Sequence, residues 1–243
     1  MCTATWNISE QKLLLAFNRD EQRARPHALP PIITQLNQVK AVYPIDPQGG
    51  GSWISVNDAG VIICLLNNYL HAAPKEQKDW TSRGKLITEL ASLTSHQSIN
   101  EHINNQGMDQ YRAFHLMVLS LDEQTLFTWN GKKLKREKAS AYLSSSGFDT
   151  HNLLAGRKSQ YQMRTITSRT AALDFHTSHQ PQKSAYSVCM HRSDAHTTSL
   201  SVIEVSEQNI SFDYFDGPPC KALRNEPLQS QITLPRKPQP VFV

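Results

Sequence analysis

The chain has 243 residues, of which 39% are hydrophobic and 19% charged, enough apolar content for a packed core without disulfide or metal support. Twenty-five basic against 21 acidic residues leave a formal charge of +4, too small and too scattered for a nucleic-acid-binding face. The longest apolar run, Val61 to Leu66, is far short of the roughly 20 residues that span a bilayer.

The start, Met1-Cys2-Thr3-Ala4-Thr5-Trp6, has no basic region followed by an apolar stretch and does not read as a signal peptide; a cytoplasmic protein is expected. Lys12 to Phe17 is a short apolar strand, followed by the polar tetrapeptide Asn18-Arg19-Asp20-Glu21 at its end. Gly49-Gly50-Gly51 precedes Trp53; without a P-loop lysine, the glycines are expected to let backbone approach closely beside a buried Trp53. Trp53 to Val56 and Val61 to Leu66 flank the turn Asn57-Asp58-Ala59-Gly60 and form a hairpin.

Ser82 to Leu93 carries Leu86, Leu90 and Leu93 at helical spacing. Ser98 and Glu101 have the form of a capping box ahead of a second helix, with Ile99 and Ile103 on one face. His115 to Leu121, Leu126 to Trp129 and the segment running to Arg136 form a second β region, turning at Asn130-Gly131. The basic cluster there, Lys132 to Lys138, is expected to be a solvated hairpin arm. Tyr161 to Leu173 is a polar helix, and Ser184 to His191, Thr198 to Val205 and Ser211 to Phe215 are short strands. An irregular tail from about residue 218 completes the single domain. Strands in runs with hairpin-length links, and helices between the runs, imply two mainly antiparallel sheets packed as a four-layer αββα sandwich.

Cys2 is the first candidate for chemistry. Trimming of Met1 leaves a thiol and a free α-amine on one residue, with unperturbed pKa values of about 8.5 and about 7.7–8.0. Such a residue can be both nucleophile and general base. If Cys2 opens a strand that pairs with residues 12–17, Arg19 and Asp20 end near it; Arg19 then favours thiolate and Asp20 holds the ammonium. A surface-turn salt bridge is the alternative. Leu66-Asn67-Asn68-Tyr69 ends a core strand, where side-chain amides either donate to an oxyanion or cap a turn. Cys64 and Cys189 read as small buried hydrophobes, no cysteine pair is spaced as CxxC, and the histidines lack a third ligand at recognisable spacing, so no metal site is expected.

Together these pieces resemble the NRDE family, also called the transport-and-Golgi-organisation family. Its tetrapeptide stands unbroken at Asn18-Arg19-Asp20-Glu21. Met1-Cys2, Arg25-Pro26, Gly50-Gly51-Ser52-Trp53 with Asn57 and Gly60, Asn68-Tyr69-Leu70 and Ser82-Arg83-Gly84 follow in order. Ser187-Val188-Cys189-Met190-His191-Arg192 looks like the family's closing strand.

That family in turn is similar to the N-terminal-nucleophile cysteine hydrolases, among them bile-salt hydrolases and penicillin V acylases. The resemblance implies the αββα fold and cleavage of a linear, non-peptide amide of a small molecule. It implies Cys2 as nucleophile, Arg19 and Asp20 beside it, and Asn68 in the oxyanion hole. Trp53, Asn67, Tyr69 and Arg192 are the implied substrate contacts, with Arg192 in the place of the amidases' late arginine. Two departures stand out: Arg19 and Asp20 are adjacent where the amidases space them by two, and Ser144-Ser145-Ser146-Gly147 stands where the amidases have a second asparagine. The chemistry needs no cofactor. The alternative implied by the family is a small-molecule carrier, with haem or an acyl or lipid ligand in the same cleft.

Overall fold

The computed structural model describes residues 1–71, 79–225 and 230–237. The strands are β1 (Cys2–Ser9), β2 (Lys12–Gln22), β3 (Leu29–Leu36), β4 (Val39–Ile45), β5 (Ile54–Asn57), β6 (Ile62–Asn67), β7 (Phe114–Leu119), β8 (Gln124–Trp129), β9 (Leu134–Lys138), β10 (Tyr142–Ser145), β11 (Ala195–Val205), β12 (Asn209–Asp216) and β13 (Ser230–Pro235). The helices are α1 (Arg83–Leu90), α2 (His96–Gln106), α3 (Thr150–Gln162), α4 (Arg169–His176) and α5 (Pro219–Asn225).

Strand alternation builds the layers. One sheet has the order β10-β1-β2-β11-β12-β13 and the other β3-β4-β5-β6-β7-β8-β9, both antiparallel throughout. Leu15 and Phe17 of the first sheet meet Ile62, Cys64 and Leu66 of the second in one apolar layer. The intervening residues of β6, Ile63 and Leu65, face outward onto Leu86, Leu90, Ile99 and Ile103 of α1 and α2. On the opposite outside, Ala16 and Val202 pack on Ala172 and Phe175 of α4. Because successive side chains point to opposite faces, β6, β7 and β11 carry apolar residues on both sides. The result is the expected α+β sandwich, helix layers outside and two antiparallel sheets within.

Several expected elements are corrected. The polar helix over Tyr161–Leu173 is two helices: α3 ends at Gln162, and Ser168 opens α4 by accepting from the Ala171 N–H at 3.2 Å. α2 begins two residues before the expected capping box, with Ser95 as its cap, accepting from Ser98 N at 3.1 Å. Ser184–His191 is a loop, although Val188, Cys189 and Met190 are fully buried. Side chains take the place of a strand partner there: Ala185 O and Ser187 O accept from Arg157, Val188 O from Asn18, and Met190 N donates to Thr197.

The tail from 218 is not irregular: α5 lies at its start and β13 extends the sheet along β12, while 226–229 and 238–243 lie outside the described residues. Edge strand β3, with its two prolines, and strands β4 and β10 were not anticipated. The Asn130-Gly131 hairpin holds, with Asn130 Oδ1 accepting from Lys132 N and Lys133 N, and its basic arm is the exposed edge strand β9.

Candidate active site

The tetrapeptide is part of β2 instead of a turn beyond it, and this decides which way each side chain points. Antiparallel pairing sets Cys2 opposite Arg19 on one side and opposite Ser145 of β10 on the other. Phe17 belongs to the layer between the sheets, so Arg19 and Glu21 lie on that same face and Asn18 and Asp20 on the other. Where the apolar layer runs out past Phe17, the sheets diverge into a cleft of about 580 Å³ lined by Cys2, Arg19, Trp53, Asn67, Tyr69 and Arg83, among others.

Arg19 lies with its guanidinium 4.2 Å from the centre of the Trp53 ring, and 3.6 Å from both Glu21 and Asp46. Asp46 in turn is clamped by Arg25. Burial works to raise the Asp46 pKa, but the Arg25 hydrogen bond and charge hold it below the usual range. The triglycine admits this arrangement. A β-carbon on Gly51 would overlap the Gly84 backbone, and Ser52 N donates to Gly84 O at 3.0 Å, so the start of α1 docks backbone against backbone beside Trp53. Arg83 is thereby brought to the cleft, donating to Ala113 O at 2.9 Å.

Met1 continues the β1 ladder: its amine donates to Asp20 O at 3.0 Å, and Asp20 N donates to Met1 O at 2.8 Å. Its Sδ accepts from Ser146 Oγ at 3.0 Å. Burial works against the Met1 ammonium, but Tyr69, Cys2, Asp20 and Glu21 outweigh it and raise the pKa to about 10. Burial also raises the Cys2 thiol, against the opposing pull of the nearby ammonium and Arg19. With Met1 in place, then, burial prevails over the charge of Arg19, and the expected thiolate is not favoured.

The remaining expected residues separate. Tyr69 and Asn67 line the cleft, joined by a 2.8 Å hydrogen bond from Asn67 Nδ2 to the Tyr69 hydroxyl. Asn68 is buried and caps the strand end, Oδ1 accepting from Leu70 N at 3.1 Å; it is not among the residues lining the cleft. Arg192 lies in an adjoining cavity of about 270 Å³ that Met1, Glu21 and Tyr69 share with the main cleft. It is paired with Asp194 and lies 4.4 Å from the Phe148 ring centre. The Asp20 carboxylate points to the far face of its sheet, where Thr197 Oγ1 donates to it at 2.7 Å and Arg157 at 3.2 Å.

Arg157 escaped the sequence reading. It is fully buried, bridging Asp20, Thr3 Oγ1 at 2.8 Å and Ser187 O at 2.7 Å. Asp46 and Arg25 escaped as site residues too, although Arg25-Pro26 stands in the pattern shared with the family. Away from the cleft, the donor atoms of His179, Cys189, His191 and Cys220 lie within 4.8 Å of one another. That cluster departs from the expectation of no metal-ligating group and of Cys189 as a mere apolar filler.

A sandwich of this topology, with a cysteine opening the strand beside the cleft, has the fold of the N-terminal-nucleophile hydrolases. It is similar to penicillin V acylase from Agrobacterium tumefaciens, with 10% identity over 88% of this chain and 86% of that one at a TM-score of 0.52. It is also similar to the Caenorhabditis elegans orthologue of N-acylethanolamine-hydrolyzing acid amidase, with 8% identity over 84% and 92% of the two chains at a TM-score of 0.57. The chain belongs to the Transport and Golgi organisation 2 family, whose profile matches residues 1–214. No curated protein sequence matches it. Among the described residues no helix is long and apolar enough to cross a membrane.

Proposed function

We propose that the protein is an amide hydrolase acting on a linear amide of a small molecule, with Cys2 as N-terminal nucleophile once Met1 is removed. The observation that carries this reading is the position of Cys2: on the floor of the cleft, opposite Arg19, with the chain's amine one residue away. Removal of Met1 transfers the amine to Cys2 itself and takes away a side chain that lines both cavities. The thiol proton then passes to the amine as sulfur attacks the substrate carbonyl. The amine returns that proton to the leaving nitrogen, and water cleaves the thioester to release the acid. An amide at the end of β6 meets the oxyanion: Asn68 by the family resemblance, with Asn67 already in the cleft. No cofactor enters these steps.

The carrier reading has less support. A haem or lipid bound here would set its apolar surface against a cleft lined by Arg19, Glu21, Arg25, Asp46 and Arg83. The test is amine release from a panel of N-acyl amides by protein whose intact mass corresponds to a Cys2 start. Cys2→Ala is expected to abolish release, and a Cys2 acyl-thioester to be trapped at low pH. Full activity in Cys2→Ala, or activity carried by chains that all retain Met1, overturns the proposal.

A further inference from the structure

On the outer side of the first sheet, away from the cleft, two histidines and two cysteines from distant parts of the chain meet. His179 follows α4, Cys189 and His191 lie in the loop before β11, and Cys220 is in α5. Three contacts converge on one atom. His191 Nε2 is 3.2 Å from His179 Nε2, 3.5 Å from Cys189 Sγ and 3.4 Å from Cys220 Sγ. A neutral imidazole nitrogen carries either one proton or one lone pair and satisfies one hydrogen bond. Three neighbours at this range exceed that capacity, so a hydrogen bond at this nitrogen accounts for one of the three contacts and not for their convergence.

Coordination does. Zinc takes Cys sulfur at about 2.3 Å and His nitrogen at about 2.0–2.1 Å, which places tetrahedral ligands about 3.3 Å apart for N and N and about 3.5 Å apart for N and S. The three separations measured from His191 fall on those edges, and the remaining pairs lie within 4.8 Å of one another. All four cysteines of the chain are free thiols, so Cys189 and Cys220 are not joined to each other. We infer that His179, Cys189, His191 and Cys220 form a tetrahedral site for one divalent cation, with zinc the ion that a two-nitrogen, two-sulfur set selects.

Binding displaces one proton from each thiol to solvent. Two thiolates then cancel the ion's two charges, leaving a neutral centre suited to partly buried surroundings. Backbone holds the ligands in place: Cys189 N donates to Ser178 O at 3.0 Å and His191 N to Ser184 O at 3.0 Å. His179 and Cys220 also line an open cavity of about 420 Å³ with Asp174 and Lys183, which gives an ion its way in. With all four protein ligands present, the site is closed and structural. It ties the loop before β11 to α5. The same loop supplies Ser187 O to Arg157 and Val188 O to Asn18, so the metal stiffens the support beneath the tetrapeptide.

The test uses the full chain purified under reducing conditions. One equivalent of zinc is expected by elemental analysis. After chelation and titration with cobalt(II), tetrahedral d–d bands and a thiolate-to-cobalt charge-transfer band are expected. Cys220→Ser and His179→Asn alter two of the three half-buried ligands and keep Cys189 in the core. Each is expected to weaken zinc binding by more than about 100-fold, beyond the 10–100-fold that loss of an outer hydrogen-bond partner costs. Chelation should lower the Tm of the parent chain and leave that of Cys220→Ser unchanged. Cys2→Ala should keep its zinc, which separates this site from the proposed hydrolase chemistry. Folded protein that takes up neither zinc nor cobalt, Cys220→Ser with unaltered affinity and spectrum, or a Cys189–Cys220 disulfide found by peptide mapping each overturns the inference.

Discussion

Replacing Arg157 by methionine removes the cation that faces Asp20 while keeping most of the side chain's length. Both partners of this pair are fully buried, their nearest atoms 3.2 Å apart. Taking away one partner strands a carboxylate in the interior, where the Thr197 hydroxyl at 2.7 Å is left to donate to it. A lone buried charge of this kind costs about 3–5 kcal/mol. Ser187 O and Thr3 Oγ1 each lose the Arg157 donor in the same change, Thr3 keeping its hydrogen bond with Ser144. For a chain of this size the Tm should fall on the order of 10 °C.

Asp20→Asn should be costly for the complementary reason, since it leaves the guanidinium buried without its counter-charge. Combining the two neutral side chains removes both stranded charges. The double variant should therefore be more stable than the sum of the single losses by at least about 2 kcal/mol. Urea denaturation of the four proteins gives this coupling directly. Single losses below about 1 kcal/mol that simply add would refute the argument, because such values belong to a solvent-screened pair.

Other consequences can be measured independently. Burial, with Arg157 adding to it, pushes the His176 pKa down to about 3. The unfolded chain takes up this proton near pH 6.5 and the native chain does not, so this residue's share of stability is complete above that pH and declines as pH falls toward 3; about 2 kcal/mol from His176 should go between pH 7 and pH 5. His176→Gln, which keeps a partner for the Thr5 hydroxyl now 3.0 Å away, should make that part of the profile shallower by this share; an unchanged slope counts against a neutral buried ring. Gly51→Ala should cost about 1–3 kcal/mol in denaturant, because the new methyl meets backbone that cannot yield; a neutral result would show that α1 slides freely. If the cleft hydrolyses amides, Arg112→Ala at its exposed rim should raise KM for substrates bearing an anionic group and leave kcat in place; equal effects on neutral and anionic amides would remove Arg112 from recognition.

Local pattern alone reached most of the β framework and one side of the site. The runs Lys12–Phe17, Val61–Leu66 and Thr198–Val205 are apolar because each central strand is covered on both faces, and such runs stand out in any sequence. The pairing of Cys2 with Arg19 follows from one hairpin, so their meeting needed only local reasoning. The triglycine before Trp53 was readable for the same reason, although the partner in its close approach, Gly84, was not.

What escaped depended on contacts between remote segments. The buried face of α3 is Leu153, Arg157 and Gln160, two of them polar, so a search for apolar periodicity passes over it. Arg157 is acceptable inside only because Asp20, 137 residues earlier, arrives opposite it. Ser184–His191 is apolar enough to be a strand, yet its backbone is satisfied by side chains of Arg157, Asn18 and Thr197, and it folds as a loop. The cluster of His179, Cys189, His191 and Cys220 has no motif spacing, because α4, the loop and α5 converge only when all three pack against the sheet. The direction of the Cys2 thiol was likewise a tertiary matter. Sequence placed Arg19 beside it, but only the assembled cleft shows that burial outweighs that charge while Met1 remains.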